Sequence, residues 1–269
     1  MQKPQTGNIC YEIKPIFIPS ANICHDFARI QISCLLSSEK EKLSFYKQVP
    51  RDYFRVLAPE EKLFASAKCR ILSAYSNLEK AYLNTWNTET NVFAFAAYTA
   101  EEMIGFITGS LTGKNMFTRS LYITPQYRGY GIGTNLLNSA ENAASLVTSN
   151  MELFSLSGAV SFYQNHGYKN TLVLGRIMKI KKLSNVTGVI PVFQWCNKLQ
   201  SNLNVNFDIK LLQQTKHQPI FVYVNKQQKI DGVAIRMSDK EQKITINTKG
   251  KNLSKIYTQK LSEALNRSL

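Results

Sequence analysis

The sequence predicts a mixed α/β fold, a central β-sheet flanked by helices, with a smaller α/β part behind it. Three observations carry this. Apolar runs separated by short polar links stand at residues 91–100, 103–111 and 117–123. A stretch of helical spacing follows at once, and then a buried strand, a short helix and a closing strand. Strands joined by short links favour an antiparallel meander, whereas a strand reached across a helix runs parallel to its predecessor.

Each element has its own signal. Tyr11 to Ile18 reads as a first strand. Ile23 to Leu36 and Glu60 to Trp86 are helical in pattern, the second with an apolar stripe through Leu63, Phe64, Ala67, Ile71, Ala74, Leu78, Ala81 and Tyr82. Asn91 to Ala100, Met103 to Leu111 and Phe117 to Ile123 form the meander. Helix Thr134 to Val147 buries one face, because Ile132, Leu136, Leu137, Ala140, Ala144 and Val147 recur near helical spacing. Met151 to Leu156 is a buried strand. Gly158 to Asn165 is a short helix, with Gly167 placed as its C-terminal stop. Thr171 to Ile180 closes the sheet.

Between strand and helix lies the segment richest in chemistry, Gln126-Tyr127-Arg128-Gly129-Tyr130-Gly131-Ile132-Gly133-Thr134. Three glycines at alternate positions let backbone N–H groups turn toward one point, and the following helix adds the positive end of its dipole. Such a turn either binds phosphate or serves as a tight connection. The dinucleotide fingerprint needs its third glycine one position later and an acidic residue about 20 positions on. Here the spacing is G-x-G-x-G and the nearest acid, Glu141, lies in the same helix. A Walker loop needs Gly-Lys-Ser/Thr, and Gly133-Thr134-Asn135 has no lysine.

At these residues the chain resembles the GNAT superfamily of acyl-CoA-dependent N-acetyltransferases, whose signature is Gln/Arg-x-x-Gly-x-Gly/Ala. Arg128-Gly129-Tyr130-Gly131-Ile132-Gly133 matches it, and Ala159-Val160-Ser161-Phe162-Tyr163-Gln164-Asn165-His166-Gly167-Tyr168 resembles the family's A-x-x-F-Y-x-x-x-G-F/Y segment. The resemblance covers about residues 90 to 182 well and the N-terminal part loosely. It implies a GNAT-like central mixed sheet, splayed between the strand ending near Ile123 and the one starting near Met151. Acetyl-CoA would be the co-substrate, with its pantetheine arm paired to the backbone of Leu121, Tyr122 and Ile123. The N–H groups of Gly129, Tyr130, Gly131, Ile132, Gly133 and Thr134 would hold the pyrophosphate. Arg128 either adds charge to a phosphate or is a solvated loop arginine.

The resemblance also implies a reaction, transfer of an acetyl group to a primary amine by direct attack in a ternary complex. Tyr163 takes the general acid's place, protonating the leaving thiolate; the other reading of Tyr163 is packing beside Phe162. The general base is not marked by any motif. Glu152, at the start of the strand beside the cofactor gap, is the candidate kept; Glu101 and Glu102 read as a solvated turn. His166 reads as a surface histidine near a helix end. Many family members carry an asparagine seven residues before the tyrosine, where this chain has Leu156 flanked by Ser155 and Ser157. The acceptor itself, small molecule or protein, is not written in these residues.

Composition bounds the rest. The 269 residues are 44% hydrophobic and 19% charged, which fits a globular protein with ample core. No apolar stretch reaches the ~20 residues of a membrane helix, and the N-terminus lacks a secretory signal's apolar run, so a cytoplasmic enzyme is expected. Cys10, Cys24, Cys34, Cys69 and Cys196 are scattered without a C-x-x-C pair, so neither a metal site nor a disulfide framework is expected.

The chain is expected to divide into an acetyltransferase-like domain at 1–182, with an enlarged helical connection at about 20–90, and a basic C-terminal α/β domain at 183–269. From residue 181 on there are fifteen Lys and Arg against five Asp and Glu, so this part carries +10 of the chain's +15. Ile220 to Val224, Gly232 to Met237 and Lys243 to Asn247 alternate like strands, and Asn252 to Leu265 like an amphipathic helix. That order repeats residues 91–147 without the glycine turn, so this part is either a degenerate second GNAT-like unit or an unrelated extension. Its charge favours an anionic partner. Two further readings stand beside the enzyme: a catalytically weak interaction or nucleic-acid-binding module, and a bacterial effector acetylating a host protein.

Overall fold

The structure is a computed structural model that describes residues 9–17, 19–36, 67–89, 91–100, 102–112, 115–155, 157–173, 176–193, 195–207, 218–238, 241–246 and 251–268. The elements, in chain order, are β1 (Glu12–Pro15), α1 (Ala21–Leu36), α2 (Ala67–Thr88), β2 (Val92–Tyr98), β3 (Met103–Thr112), β4 (Asn115–Ile123), α3 (Ile132–Val147), β5 (Asn150–Phe154), α4 (Val160–Asn165), β6 (Lys169–Val173), β7 (Arg176–Lys182), β8 (Gly188–Pro191), α5 (Asn197–Ser201), β9 (Ile220–Val224), β10 (Ile230–Ser238), β11 (Glu241–Ile246) and α6 (Lys251–Arg267). Residues 60–66 of the expected second helix lie outside the described residues.

The first sheet has the order β1-β2-β3-β4-β5-β7-β6. Only β4 and β5 pair in parallel; every other neighbouring pair is antiparallel. The parallel pair follows from α3, which carries the chain back across the sheet between them. One expectation needs correction. Thr171 to Ile180 is not a single closing strand but parts of β6 and β7, which pair as a hairpin with β7 between β5 and β6. Residues 174–175 lie outside the described residues, but their sequence, Leu-Gly, carries a turn signal that the single-strand reading passes over.

Strand β2 shows why the sheet is filled on both sides. Phe93, Phe95 and Ala97 point to the face that α3 covers, whereas Val92, Ala94 and Ala96 point to the face under α1 and α2. On the latter, Phe27 of α1 stacks on Phe106 with ring centroids 4.4 Å apart, and Trp86 and Tyr82 of α2 close around them. On the former, Ile132, Leu136, Leu137, Ala140 and Ala144 are buried, the stripe that their spacing predicts. Gly109 of β3 is required by close approach. A Cβ there would lie 2.4 Å from the Phe117 carbonyl oxygen and 2.3 Å from Phe93 Cε1.

A second sheet has the order β11-β10-β9-β8, all antiparallel. Alternation again sorts its side chains. Val222, Val224, Val233 and Ile235 join the same hydrophobic cluster as Leu136 and Leu137, so α3 lies between the two sheets. Phe221 and Ala234 face the other way and are covered by Leu261 and Leu265 of α6, together with Phe17. Tyr223 stacks on Tyr257 of α6 at 3.7 Å. No described helix is long and apolar enough to cross a membrane.

Candidate active site

The site is built where β4 and β5 part. Their parallel ladder runs only from Asn115 opposite Asn150 to Thr118 opposite Leu153. Past it, β4 is bulged at Arg119, since Thr108 faces Ser120 while Gly109 faces Thr118. A bulge turns the strand and ends pairing. The rest of β4 is held on its β3 side alone, with a seam open toward β5.

The phase of the β3–β4 ladder decides which backbone groups face that seam. Thr124 N–H donates to the Ile104 carbonyl at 2.9 Å. Antiparallel pairs alternate between hydrogen-bonded and non-hydrogen-bonded. Tyr122 opposite Phe106 is therefore committed to β3, while Leu121 and Ile123 turn their N–H and C=O groups the other way. The expectation that all three residues offer backbone to a ligand is corrected at Tyr122. The Ile123 carbonyl already accepts from Arg128 Nε at 3.2 Å and from Cys34 Sγ at 3.1 Å.

After β4 the chain makes one 3-10 turn at Pro125–Tyr127, then Arg128, and enters the glycine turn. Gly129 and Gly131 have φ of 90° and 77°, the left-handed region that side chains resist. Gly131 caps α3. Within α3, Asn135 is the first residue whose N–H reaches a backbone carbonyl, that of Gly131 at 3.0 Å. The N–H groups just ahead of it have no carbonyl within the helix to bond, and they sit at its positive end. Three elements meet at Gly133: a Cβ there would be in ordinary contact with Phe162 of α4 at 3.6 Å and Ile123 Cγ1 of β4 at 3.8 Å.

Helix α4 thus packs directly against the glycine turn, and it carries Tyr163. That ring is 7% exposed and lies edge-on to Phe162 at 5.0 Å and to Tyr168 at 5.6 Å. Burial pushes its phenol above the ordinary value, so it stays protonated. Gly167 follows with φ of 83°, the stop its position predicts. Behind Tyr163, Lys181 of β7 bonds the buried Glu141 of α3 at 2.6 Å and stands 5.7 Å from the centre of the Tyr168 ring. Burial, with Glu141 beside it, raises the Tyr168 phenol as well.

The remaining expected site residues fall apart in space. Glu152 lies in the paired part of the β4–β5 ladder, opposite Phe117, on the face away from α3, and its carboxylate accepts a hydrogen bond from Asn115. Glu102 joins Arg29 at 3.3 Å, with Tyr127 O–H donating to its other oxygen at 3.4 Å. Glu101 and Leu156 lie outside the described residues.

One residue departs from its expected place. His166 is half-buried rather than a surface side chain. Nδ1 stands 2.7 Å from the Phe162 carbonyl oxygen and Nε2 3.0 Å from Thr134 Oγ1, so the ring ties α4 to the first turn of α3. Nothing local in the sequence announces this, because Thr134 is 32 positions away.

The chain is similar to several known proteins. Residues 90–170 match the model of the acetyltransferase (GNAT) domain family. An uncharacterized N-acetyltransferase of Methanocaldococcus jannaschii is 30% identical over 127 residues, which cover 42% of this chain and 80% of that protein. Among solved structures, the PaiA N-acetyltransferase of Thermoplasma acidophilum in complex with coenzyme A aligns with a TM-score of 0.46 at 19% identity, over 65% of this chain and 99% of its own. An acetyltransferase of Thermus thermophilus aligns with a TM-score of 0.42 at 13% identity, over 65% and 99% respectively. A glycine turn opening α3, a seam beside β4, a family match across both and a relative covered over four fifths of its length lead to one assignment: this chain belongs to the GNAT family of N-acetyltransferases.

Proposed function

We infer that this protein transfers the acetyl group of acetyl-CoA to a primary amine by direct attack within a ternary complex. The observation that supports this best is the continuity of the seam with the glycine turn. Two backbone positions of β4 face away from β3, and the N–H groups at the start of α3 lie at the end of that strand. A pantetheine amide resembles a peptide, so Leu121 and the N–H of Ile123 can pair with it as with an added strand. The N–H groups of residues 129–134 suit the pyrophosphate. Left-handed Gly129 and Gly131 keep that turn clear of side chains.

When bound, acetyl-CoA supplies an activated thioester. The protein has four tasks around it. It must position donor and acceptor amine, which is the work of the β4 backbone and the glycine turn. It must accept the amine's proton, because a free alkylamine has a pKa near 10.4 and is charged at neutral pH. Glu152 is proposed for this through water, from the paired stretch of β5 below the seam, where Asn115 donates to its carboxylate. It must offer N–H donors to the developing oxyanion. It must also help the thiolate leave, for which Tyr163 is proposed, held neutral by burial and therefore able to donate.

A thiol-release assay with acetyl-CoA across small amines, peptides and lysine side chains tests the reaction, and melting with and without CoA tests the donor. Saturation at 100 times Kd raises stability by about 2.7 kcal/mol. Absence of both a melting shift with CoA and thiol release with every amine would overturn the reading.

The charge of the C-terminal part favours a second proposal alongside it, an anionic partner held by residues 183–269. Phe221 is buried and Tyr223 is stacked on Tyr257, so neither ring is available as a platform for nucleic-acid bases. Binding would be electrostatic and steeply salt-dependent.

A further inference from the structure

His166 sits where the donor site meets the helix of the proposed acid. Its contacts fix more than its position. A carbonyl oxygen only accepts hydrogen bonds, so the 2.7 Å contact to Phe162 O requires the proton on Nδ1. In the neutral ring Nε2 is then a bare lone pair, and the Thr134 hydroxyl, 3.0 Å away, must donate to it. That leaves Thr134 Oγ1 presenting lone pairs, not a proton, beside the N–H groups that open α3. An anion there meets the wrong end of the hydroxyl.

A proton on Nε2 reverses the arrangement. The imidazolium donates through both nitrogens, Thr134 accepts from Nε2, and the hydroxyl proton is released to point at an anion. The ring also gains a positive charge next to it. The geometry points to His166 as a positioning residue of the donor site, which sets the direction of the Thr134 hydroxyl and links diphosphate binding to uptake of one proton by the imidazole. This rests on the reading that acetyl-CoA binds at the glycine turn. The same contact ties that turn to Tyr163, because Tyr163 and His166 share the short helix and its stop.

Few other charges bear on the ring. Within α4 the one ionisable side chain is the buried Tyr163. Within α3 the first is Glu141, two turns past Thr134 and paired with Lys181. The loop ahead of α3 brings Tyr127, Arg128 and Tyr130, and Arg128 is turned onto the Ile123 carbonyl. Lys169 follows three residues after the histidine. Among the described residues, the two hydrogen bonds of the imidazole go to Phe162 and Thr134.

The probe is dephospho-CoA, which keeps the diphosphate and lacks the 3′-phosphate that would itself titrate near neutrality. Its binding is measured by calorimetry from pH 5.5 to 8.5, the range in which imidazole changes charge, in buffers of different ionisation enthalpy. Wild type is expected to take up protons on binding, and its Kd to rise with pH, approaching about tenfold per unit where one proton is linked. His166→Asn is expected to flatten the profile and abolish the uptake, and Thr134→Val, which keeps the imidazole but removes the hydroxyl, to flatten the profile and reduce the uptake; Thr134→Val leaves the histidine's ring packing intact, so it stays informative where His166→Asn is poorly folded. A flat wild-type profile, or variant profiles parallel to wild type, overturns the proposal. Failure of wild type to bind dephospho-CoA at any pH overturns the donor reading beneath it, and this inference with it.

Discussion

Replacing Tyr163 by phenylalanine removes one oxygen from a ring that is 93% shielded and whose packing partners are themselves aromatic. The edge-to-face contacts with Phe162 and Tyr168 survive the change, so stability should move by no more than about 1 kcal/mol. The kinetic cost is set by what the hydroxyl does for a departing thiolate. Burial raises the phenol above its ordinary value, and that value already exceeds a thiol's by about 1.5 units. A complete proton transfer to sulfur is therefore uphill, and the main contribution is a hydrogen bond to developing charge. Such bonds are worth roughly 1.5–3 kcal/mol, which corresponds to a loss of about 10- to 150-fold in kcat. Thiol release with saturating acetyl-CoA and an acceptor that wild type uses measures kcat, and calorimetry measures donor Kd separately. Tyr163→Phe should keep donor Kd within about twofold, since the bond to sulfur strengthens only as charge develops. Turnover within twofold of wild type would refute the assignment of Tyr163, and an equal loss in donor affinity would show that the ring serves binding instead.

Other perturbations address the frame around that chemistry. Gly131→Val places a β-branched residue at φ of 77° in otherwise open space, so its effect is conformational, about 1–3 kcal/mol, and CoA Kd should rise at least about fivefold by calorimetry. Gly109→Ala drives a methyl into the Phe117 carbonyl and the Phe93 ring and should cost about 1–3 kcal/mol, seen as a lower urea midpoint at unchanged slope. Burial raises the phenols of Tyr163 and Tyr168, and raises Tyr98 to about 12 with Asp26 adding to the effect. A raised folded pKa keeps its stabilisation below the unfolded value near 10 and loses it as pH climbs beyond, so melting temperature should fall above pH ~10 while phenolate absorbance at these rings lags free tyrosine.

What the sequence revealed follows from where the controlling physics is local. The stripe of α3 and the strands β2, β3 and β9 are written in periodicity, and the structure returns them with ends shifted by a residue or two. The glycine turn was legible because left-handed backbone at Gly129 and Gly131 is a local demand with a local residue solution. Strand β8 was missed. Four residues, Gly188 to Pro191, begin on a glycine and end on a proline, and their extended form depends on partners in β9 that lie 30 to 36 positions on, Phe221 for Pro191 and Val224 for Gly188. The commitment of the Tyr122 backbone to β3 depends on the ladder's phase, which neither hydropathy nor motif encodes. The His166–Thr134 bond joins two motifs that were each recognised alone, but a contact between them exists only once α4 folds against α3.

The C-terminal part raises a question about folding that bears directly on the site. Its charge and strand pattern suggest an independent domain from residue 183. Its apolar residues are arranged otherwise. Ile190, Val192, Leu199, Val222, Val224, Val233 and Ile235 bury themselves in one cluster with Leu136, Leu137 and Ala140, and Lys198 reaches the Ser145 carbonyl of α3 at 3.1 Å. Phe17, just past β1, packs against Phe193 at 5.1 Å and Phe221 at 5.6 Å. Burying a side chain of this kind contributes about 1.5–3 kcal/mol, and whole domains are stable by only about 5–15 kcal/mol. Removing these partners re-exposes the apolar surface of α3 that they cover, and at about 1.5–3 kcal/mol per side chain a few such exposures are comparable to the total. A fragment ending at Lys182 keeps every proposed catalytic and donor-binding residue, yet it should lack a cooperative melting transition and bind CoA weakly, because the helix whose first turn is proposed to hold the diphosphate loses one of its two walls. A fragment that melts sharply within a few degrees of the full chain, with unchanged CoA affinity, would show that the second sheet is an appendage and that β2 to β5 alone fix α3 in place.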